Sequence, residues 1–301
     1  TNHIIEGNDC SGTMQYPDLF PNAFGADSDA DCFRFFGTGH VFKNNYCHDI
    51  TYGRQPTGNN VDPHVDGFQT WGPATTNRPL AHDILFDGNT IILSGSGGGF
   101  TNKSVQLEGG VYNITFTNNI FRTTLGASMT STVSSIIFDH NTWVGDKTNS
   151  GSWGIYADLC TGCTVTNNIF AYHINGAGYL RGVVTENNNV IWQSGGTRPL
   201  APGNIKISPS FVDETLNDFH LQGGSLACGR GAYPCSITPV VTMTQIIPSF
   251  TATPSPAPPS APPSFTPIPS TSTPSFTPTI TPTPTFECLL FPVHAQRVCL
   301  P

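Results

Sequence analysis

Charged side chains are scarce in this sequence. Lys, Arg, Asp and Glu together make up 11% of the 301 residues, and the formal net charge is -8. There is no run of Lys or Arg, and binding to phosphates depends on clustered cations, so we expect no nucleic-acid partner. No stretch reaches the ~20 apolar residues of a membrane span, so we also expect no membrane insertion.

Uncharged polar residues take the place of the missing charges. Asn, Thr, Ser and Gly are abundant, while the apolar share of 37% is large enough for a core. Nine cysteines in such a chain favour an oxidising compartment. We therefore expect a secreted or cell-surface protein, whose numbering begins either after a processed signal or at an arbitrary boundary.

The odd number of cysteines leaves at least one outside any pair within the chain. Cys228 and Cys235 bracket a Gly-rich segment and are expected to close it with a local disulfide, and Cys288 and Cys299 could pair in the same way. The spacing of Cys160 and Cys163 matches a redox motif or half of a zinc site. A second pair at ligand spacing is missing from the sequence, so we expect no zinc there.

The composition divides the chain into three parts. Residues 238–286 hold more than half of the chain's 26 prolines and no charged residue. Such a segment cannot form a packed core, so we expect a disordered Pro/Thr/Ser-rich linker with polyproline-II character. Residues 287–301 are too few for a domain and form a short C-terminal tail. Residues 1–237 are the expected folded domain.

A repeated unit runs through that domain. Its pattern is apolar, x, apolar, x, Asn, Asn, apolar, apolar, as in ITFTNNIF (114–121) and CTVTNNIF (163–170). The second Asn position recurs at spacings of 44, 30, 22, 27 and 21 residues. The residues that mark it are Asn45, Asn89, Asn119, Asn141, Asn168 and Asn189. One turn of about 22 residues accounts for this series if 44 counts as two turns and the other excesses are loops.

A repeat of this length with short alternating strands is typical of a β-solenoid, in which each coil buries its inner face by stacking on the next. The sequence therefore predicts an all-β, right-handed parallel β-helix. Two inward columns are expected, one through Ile84, Ile114, Ile136, Cys163 and Val184 and one through Phe86, Phe116, Phe138 and Val165. The repeated Asn is expected at a turn that needs a left-handed backbone, with its side chain hydrogen-bonded from coil to coil.

The NNIF-type coils and the closing segment SPSFVDETLNDFHLQGGSLACGRG (208–231) resemble bacterial right-handed parallel β-helix proteins of the pectate-lyase-like superfamily. The resemblance covers about residues 1–235. It implies the fold and a carbohydrate-related role, because the superfamily includes polysaccharide lyases, uronate epimerases, glycoside hydrolases and adhesive proteins.

The segment NNVDPHVDGFQTWG (59–72) breaks the repeat where the spacing of 44 residues would place a missing coil. Asp62, His64 and Asp66 share one parity there and would lie on one face of an extended chain, which we expect to be the solvent face because burying them together is costly. Asp62-Pro63-His64 is similar to the Asp-Pro-His motif of mannuronan C5-epimerases. That similarity implies that His64 is the base or acid at the uronate C5 and that Asp62 orients it.

Other titratable and aromatic residues could meet at the same place if neighbouring coils stack as expected. Lys43 or Arg54 would neutralise the substrate carboxylate, and Asp66 with Asp87 could hold Ca²⁺. Asp66, Gln69, Trp71 and His48 are the expected substrate-binding residues, with Trp71 offering a surface for a sugar ring.

These residue types are consistent with β-elimination or C5 epimerisation of an acidic polysaccharide by a monomeric extracellular enzyme. Both reactions need a neutralised carboxylate and a base that titrates near neutral pH. Two alternatives stay open. One is an inverting glycoside hydrolase using two of Asp62, Asp66 and Asp87. The other is a non-catalytic glycan-binding or adhesive solenoid.

Overall fold

The structure is a computed structural model that describes residues 2–11, 14–15, 31–52, 65–72, 78–93, 102–129, 131–182, 184–196, 198–234, 288–290 and 297–299. It divides into two compact units, Thr1–Thr242 and Met243–Pro301. In the second unit, the described strands Cys288–Leu290 and Arg297–Cys299 pair in antiparallel fashion with Cys288 opposite Cys299. The expected linker, 238–286, lies outside the described residues.

Three parallel sheets build the first unit. Sheet 1 contains Ile4–Glu6, Val41–Lys43, His82–Asp87, Tyr112–Thr117, Val133–Asp139, Thr164–Thr166 and Thr185–Asn187, with Cys160–Thr161 also pairing to Val133–Asp139. Sheet 2 contains Asp9–Ser11, Tyr46–His48, Thr90–Leu93, Ile120–Thr123, Thr142–Val144, Ile169–Ala171 and Val190–Trp192. Sheet 3 contains Phe33–Arg34, Val65–Thr70, Asn102–Leu107, Leu125–Met129, Trp153–Ala157 and Leu180–Gly182.

Within each sheet the strands follow one another in chain order, and the chain visits the three sheets in turn. No helix occurs in the part of the chain that the structure describes. Each coil therefore lays one strand on each sheet, and the next coil adds the next rung. The predicted parallel β-helix is confirmed.

Outside the three sheets, Met14–Gln15 pairs with Thr51–Tyr52 in parallel. Phe211–Asp213 and Asp218–Leu221 form an antiparallel pair after the last coil. Phe211, Phe219 and Leu221 are buried in a second apolar cluster with residues of sheet 2 such as Val144. This pair therefore packs against sheet 2 rather than extending it.

The inward columns are those that the repeat predicts. Ile84, Ile114 and Ile136 are Cα partners on successive rungs of sheet 1 and are 3%, 0% and 0% exposed. A second column of sheet 1 stacks aromatic rings, with centroids 4.7 Å, 4.5 Å and 5.1 Å apart between successive rings. It runs through Phe42, Phe86, Phe116 and Phe138 and ends on Val165 and Glu186. Stacked rings supply much of the apolar area that the core buries.

The repeated Asn forms a continuous ladder at the turn from sheet 1 to sheet 2. Asn119 shows the pattern: its Nδ2 donates to Asn141 Oδ1 at 2.9 Å and to the Phe86 carbonyl at 3.0 Å. Its own Oδ1 accepts from the backbone N–H and the Nδ2 of Asn89. The same bonds link Asn8, Asn45, Asn89, Asn119, Asn141, Asn168, Asn189 and Asn204. The predicted coil-to-coil bonding is confirmed.

Two adjacent residues have different roles at this turn. The ladder Asn itself is buried, whereas the residue before it has the left-handed backbone, as at Asn118 with φ 56° and His140 with φ 53°. Gly88, with φ 68°, fills this position in another coil without strain. The turn therefore needs a residue that tolerates positive φ followed by a side chain that both donates and accepts.

The prediction that the 44 residues from Asn45 to Asn89 form two turns of the helix is wrong. Asn45 Nδ2 donates directly to Asn89 Oδ1 at 2.8 Å, and Lys43 is the Cα partner of Asp87. Asn45 and Asn89 thus belong to consecutive coils, with no rung between them. The intervening Val65–Thr70 is the sheet 3 strand of that coil, so the extra residues extend one turn instead of making a second.

The last rung of sheet 1 replaces an apolar side chain by a charged one. Glu186 continues the inward column, its side chain is 3% exposed, and Arg198 Nε lies 2.6 Å from its Oε1. Its Oε2 accepts from the Tyr179 hydroxyl at 2.9 Å and from Asn204 Nδ2 at 2.8 Å. These partners compensate the desolvation of the carboxylate where the core meets the segment that follows.

Candidate functional site

The outward side of sheet 3 carries one continuous row of polar and aromatic residues. Gln69 and Gln106 are Cα partners on neighbouring rungs and are 6% and 3% exposed. The row runs Arg34, Gln69, Gln106, Ser128, Tyr156 and Arg181, one residue per coil. Because rungs are about 4.8 Å apart, five steps span roughly 24 Å along the axis. The middle members Gln69, Gln106 and Ser128 are buried, so a ligand could reach only Arg34, Tyr156 and Arg181 of this row.

At the first rungs, two arginines lie against a tryptophan. The guanidinium carbon of Arg34 is 5.4 Å from the centroid of the Trp71 ring, and that of Arg78 is 5.1 Å from it. Phe36 meets the same ring edge-on at 4.9 Å. Trp71 directly follows the strand Val65–Thr70 and is half-buried. We call Arg34, Phe36, Gln69, Trp71 and Arg78 the Arg–Trp face.

Close backbone packing places the next coil beside Trp71. A Cβ on Gly72 would lie 2.3 Å from the Gly109 carbonyl oxygen, so neither position tolerates a side chain without a shift of the backbone. The Glu108 N–H donates to the Thr70 carbonyl at 3.1 Å, and the Glu108 carboxylate accepts a hydrogen bond from Gln106 Nε2. The Arg–Trp face is thus continuous with the polar row on the following rung.

The two arginines of this face differ in their anionic partners. Arg34 Nε lies 2.6 Å from Asp31 Oδ2, a carboxylate that is buried. Arg78 has no ion pair with any described residue, and its buried Nε makes no hydrogen bond within the described part of the chain. A guanidinium has five donors and pairs best with a planar carboxylate. The Arg78 residue is half-buried, so an anionic ligand would have to pair with its terminal guanidinium nitrogens rather than with the buried Nε.

A second aromatic and cationic pair lies further along the same row. Tyr156 stacks on Trp153 with centroids 3.9 Å apart, and the Arg181 guanidinium lies 5.0 Å from the Tyr156 ring. Arg181 also forms an ion pair with Asp158. Burial raises the pKa of the Tyr156 phenol, more than nearby Arg181 lowers it, so the hydroxyl stays neutral at physiological pH.

Of the residues predicted to bind substrate, Asp66, Gln69 and Trp71 all belong to this coil of sheet 3. Asp66 is fully buried, however, so the expectation that it faces solvent is wrong. Its backbone N–H donates to Asp31 Oδ1 at 2.9 Å, and its Oδ1 accepts from the Lys103 N–H at 3.3 Å. As placed, this carboxylate connects two neighbouring segments of sheet 3.

Lys43, Asp87 and His48 lie on other sheets. Lys43 and Asp87 are neighbours on the outward side of sheet 1, and Lys43 Nζ is 3.9 Å from Glu6 Oε1. The predicted position of Asp66 between these two residues is therefore wrong, because Asp66 is on sheet 3. The Ca²⁺ site of Asp66 with Asp87 would need ligands from two sheets, and Asp87 Oδ1 accepts from Asn118 Nδ2 at 2.8 Å.

His48 lies on sheet 2 between two carboxylates. Its Nδ1 is 2.7 Å from Asp49 Oδ2 and its Nε2 is 2.9 Å from Asp9 Oδ1. The hydrogen bond to Asp49 raises the pKa of His48, and the bond to Asp9 adds to this shift. His48 is thus not placed with Gln69 and Trp71, and its predicted role in binding stays a prediction.

Arg54, Asp62 and His64 lie outside the described residues, so their predicted catalytic roles stay predictions. In the sequence, Asp62 and His64 precede Val65, the first residue of the sheet 3 strand that leads to Trp71.

Arg34, Arg78 and Tyr156 were not among the residues predicted from the sequence. One usable signal was the shared pattern apolar–Gln–x in FQT (68–70) and VQL (105–107), which would have aligned the sheet 3 strands with each other. The scarcity of cations was another signal. Only 12 Lys and Arg residues occur in the chain, so each of them is a candidate for binding an anionic ligand.

Comparison of the chain with protein-family models, with curated proteins and with solved structures finds no match. In the described residues there is no helix of the length and apolarity needed to cross a membrane.

Proposed function

We propose that this protein acts outside the cell on an acidic polysaccharide, and that the Arg–Trp face binds the glycan. The observation that carries the proposal is Arg78, a cation held on the Trp71 ring without an anionic partner among the described residues. A uronate carboxylate would pair with this guanidinium through charge-assisted hydrogen bonds, and the indole would pack on the sugar ring.

The direction of the glycan follows from the row on sheet 3. The row has Arg34 at one end and Tyr156 with Arg181 at the other, and the side chains between them are buried. A chain lying along the axis would meet cations near both ends of the row. This favours a polymer with repeated carboxylates over a short neutral sugar.

The reaction that we propose is β-elimination or C5 epimerisation, in the manner of polysaccharide lyases and uronate epimerases of the pectate-lyase-like superfamily. His64 would exchange the C5 proton and Asp62 would orient its ring. The arginines of the Arg–Trp face would stabilise the negative charge that develops on the uronate carboxylate. Lys43, predicted for this role, lies on sheet 1 instead.

Binding without catalysis is the second candidate. It is favoured by the kinds of groups that the described part of the Arg–Trp face presents, namely guanidinium, indole and amide, which recognise a glycan but do not exchange protons near neutral pH. In this case the linker 238–286 would present a glycan-binding rod at a surface.

The experiment is a screen of the full chain on polygalacturonate, alginate, chondroitin and a neutral glucan, with and without chelator. Elimination produces an unsaturated sugar that absorbs in the ultraviolet, whereas epimerisation changes the NMR spectrum of the polymer without cleaving it. Binding is followed in parallel by affinity electrophoresis in gels that contain each glycan.

Two variants test the face and two matched controls test the rest of the surface. Arg78→Gln and Trp71→Ala are expected to weaken binding of the acidic glycan about 10-fold or more, the loss of one charge-assisted contact or one stacking surface. Lys206→Gln and Tyr112→Ala remove an exposed cation and a partly exposed ring elsewhere and should leave binding unchanged. The proposed face would be ruled out if all four variants weakened binding of the acidic glycan equally. It would also be ruled out if the chain bound only the neutral glucan.

A further inference from the structure

Three cysteine sulfurs meet inside the first coils. The Sγ atoms of Cys10, Cys32 and Cys47 all lie within 4.8 Å of one another. Cys10 and Cys47 are Cα partners on neighbouring rungs of sheet 2, and Cys32 directly precedes the first strand of sheet 3. Cys47 is fully buried, and the other two are half-buried.

The surrounding column shows why these sulfurs converge. On later rungs of sheet 2, the position of Cys47 is taken by large apolar side chains, namely Ile91, Phe121, Trp143, Phe170 and Ile191. The first two rungs carry only the small side chains of Cys10 and Cys47, and Cys32 enters the same space. In the structure, Cys32 and Cys47 are joined by a disulfide with a Cα–Cα distance of 6.2 Å.

The geometry matches a thiolate metal site once that disulfide is reduced. A zinc ion binds thiolates at about 2.3 Å, so sulfurs in a tetrahedral site are about 3.8 Å apart. The Cys10 sulfur lies within 4.8 Å of the other two and needs to shift by only about 1 Å, whereas the sulfurs of Cys32 and Cys47 move apart to that separation once their bond is broken. Soft thiolates select d¹⁰ cations such as Zn²⁺ and Cu⁺.

We propose that Cys10, Cys32 and Cys47 form a redox-gated site for a thiophilic d¹⁰ cation. A dithiol reductant supplies two electrons and two protons, which break the Cys32–Cys47 bond and leave two thiols, while the reductant becomes a disulfide. The cation then binds three thiolates and displaces their protons, and water completes the coordination. A disulfide oxidant then accepts two electrons and two protons and becomes two thiols, the Cys32–Cys47 bond re-forms, and the metal loses two ligands and is released.

The test uses the full chain, reduced without oxygen by a phosphine, which takes up the oxygen of a water molecule. Cobalt is titrated as a spectroscopic substitute for zinc. The phosphine also reduces the Cys160–Cys163 disulfide, so the titration uses a Cys160→Ser chain, in which we expect one equivalent to bind with sulfur-to-cobalt charge-transfer absorption and zinc to displace it. The oxidised chain should show no such absorption.

Variants then locate the metal. Cys10→Ser leaves the Cys32–Cys47 disulfide available but removes one ligand, and should weaken cobalt binding at least 10-fold and reduce the charge-transfer intensity by about one third. Cys228→Ser is the matched control and should bind as the parent chain does. Cys10→Ala serves if the serine variant does not fold in its oxidised state.

Three outcomes would overturn the proposal. The reduced chain could bind no cobalt, the Cys10 variants could retain the full absorption, or reduction could unfold the chain without recovery on addition of zinc. None of these outcomes bears on glycan binding, so this proposal and the proposed function are tested separately.

Discussion

Acid should destabilise the fold through one buried histidine. His173 follows the sheet 2 strand Ile169–Ala171, is 1% exposed, and packs edge-on against Phe170 with centroids 6.0 Å apart. Neither ring nitrogen makes a hydrogen bond with a described residue. Burial lowers the pKa of His173 to about 4, and the nearby carbonyls of Trp143 and Trp153 offset only part of that shift.

The size of the effect follows from linkage. The folded pKa lies below the ordinary value of 6.5, so the folded state favours the neutral ring. The resulting stability is complete above pH 6.5 and is lost as the pH falls towards 4. A shift of about 2.5 units corresponds to about 3 kcal/mol, lost at about 1.4 kcal/mol per pH unit within that window.

The assay is urea unfolding of the full chain at several pH values between 7.5 and 4, compared with His173→Leu. Leucine fills a similar volume and does not titrate. The variant should lose about 3 kcal/mol less than the parent chain over the window, whatever its stability at pH 7.5. His3→Gln changes an exposed ring that has no carboxylate partner among the described residues and serves as the control. Parallel curves for the parent and His173→Leu would refute the reasoning.

Further predictions concern the ladder and the last rung. Asn119→Ala should destabilise the fold by about 3 kcal/mol or more in thermal unfolding, because it leaves the buried Asn89 amide and the Phe86 carbonyl unsatisfied. Asn118→Gly should leave the stability nearly unchanged, because glycine adopts the positive φ of that position without strain. Arg198→Met should cost about 3 kcal/mol by leaving the Glu186 carboxylate less well compensated, and equal stabilities of variant and parent would contradict that role.

The sequence predicts the fold well because one turn of each coil requires a particular type of side chain. A buried side chain that donates and accepts along the axis must be Asn, so Asn119 and Asn141 repeat visibly, and the inward columns of sheet 1 follow from their register. Among the described residues, the corners on either side of sheet 3 carry no such ladder. The strand Val65–Thr70 was therefore mistaken for part of an additional coil.

The candidate site was harder to predict, because it depends on that same register. Placing Val65–Thr70 on its own coil brought Asp66 between Lys43 and Asp87, whereas the structure places it on sheet 3 beside Lys103. Gln69 and Trp71 were identified by residue type, and they do lie beside each other on one coil. Arg78 is far from Arg34 in sequence and belongs to no repeat, so only the folded coil shows that both contact Trp71.

The most direct test of the account is calorimetric titration with an acidic oligosaccharide and with the same oligosaccharide after its carboxylates have been reduced to alcohols. If Arg78 binds a carboxylate, the acidic form should bind at least 10-fold more tightly than the reduced form, and Arg78→Gln should remove most of that difference. Equal affinities for the two forms, or a preference that survives in Arg78→Gln, would contradict the central claim that the Arg–Trp face recognises an acidic glycan.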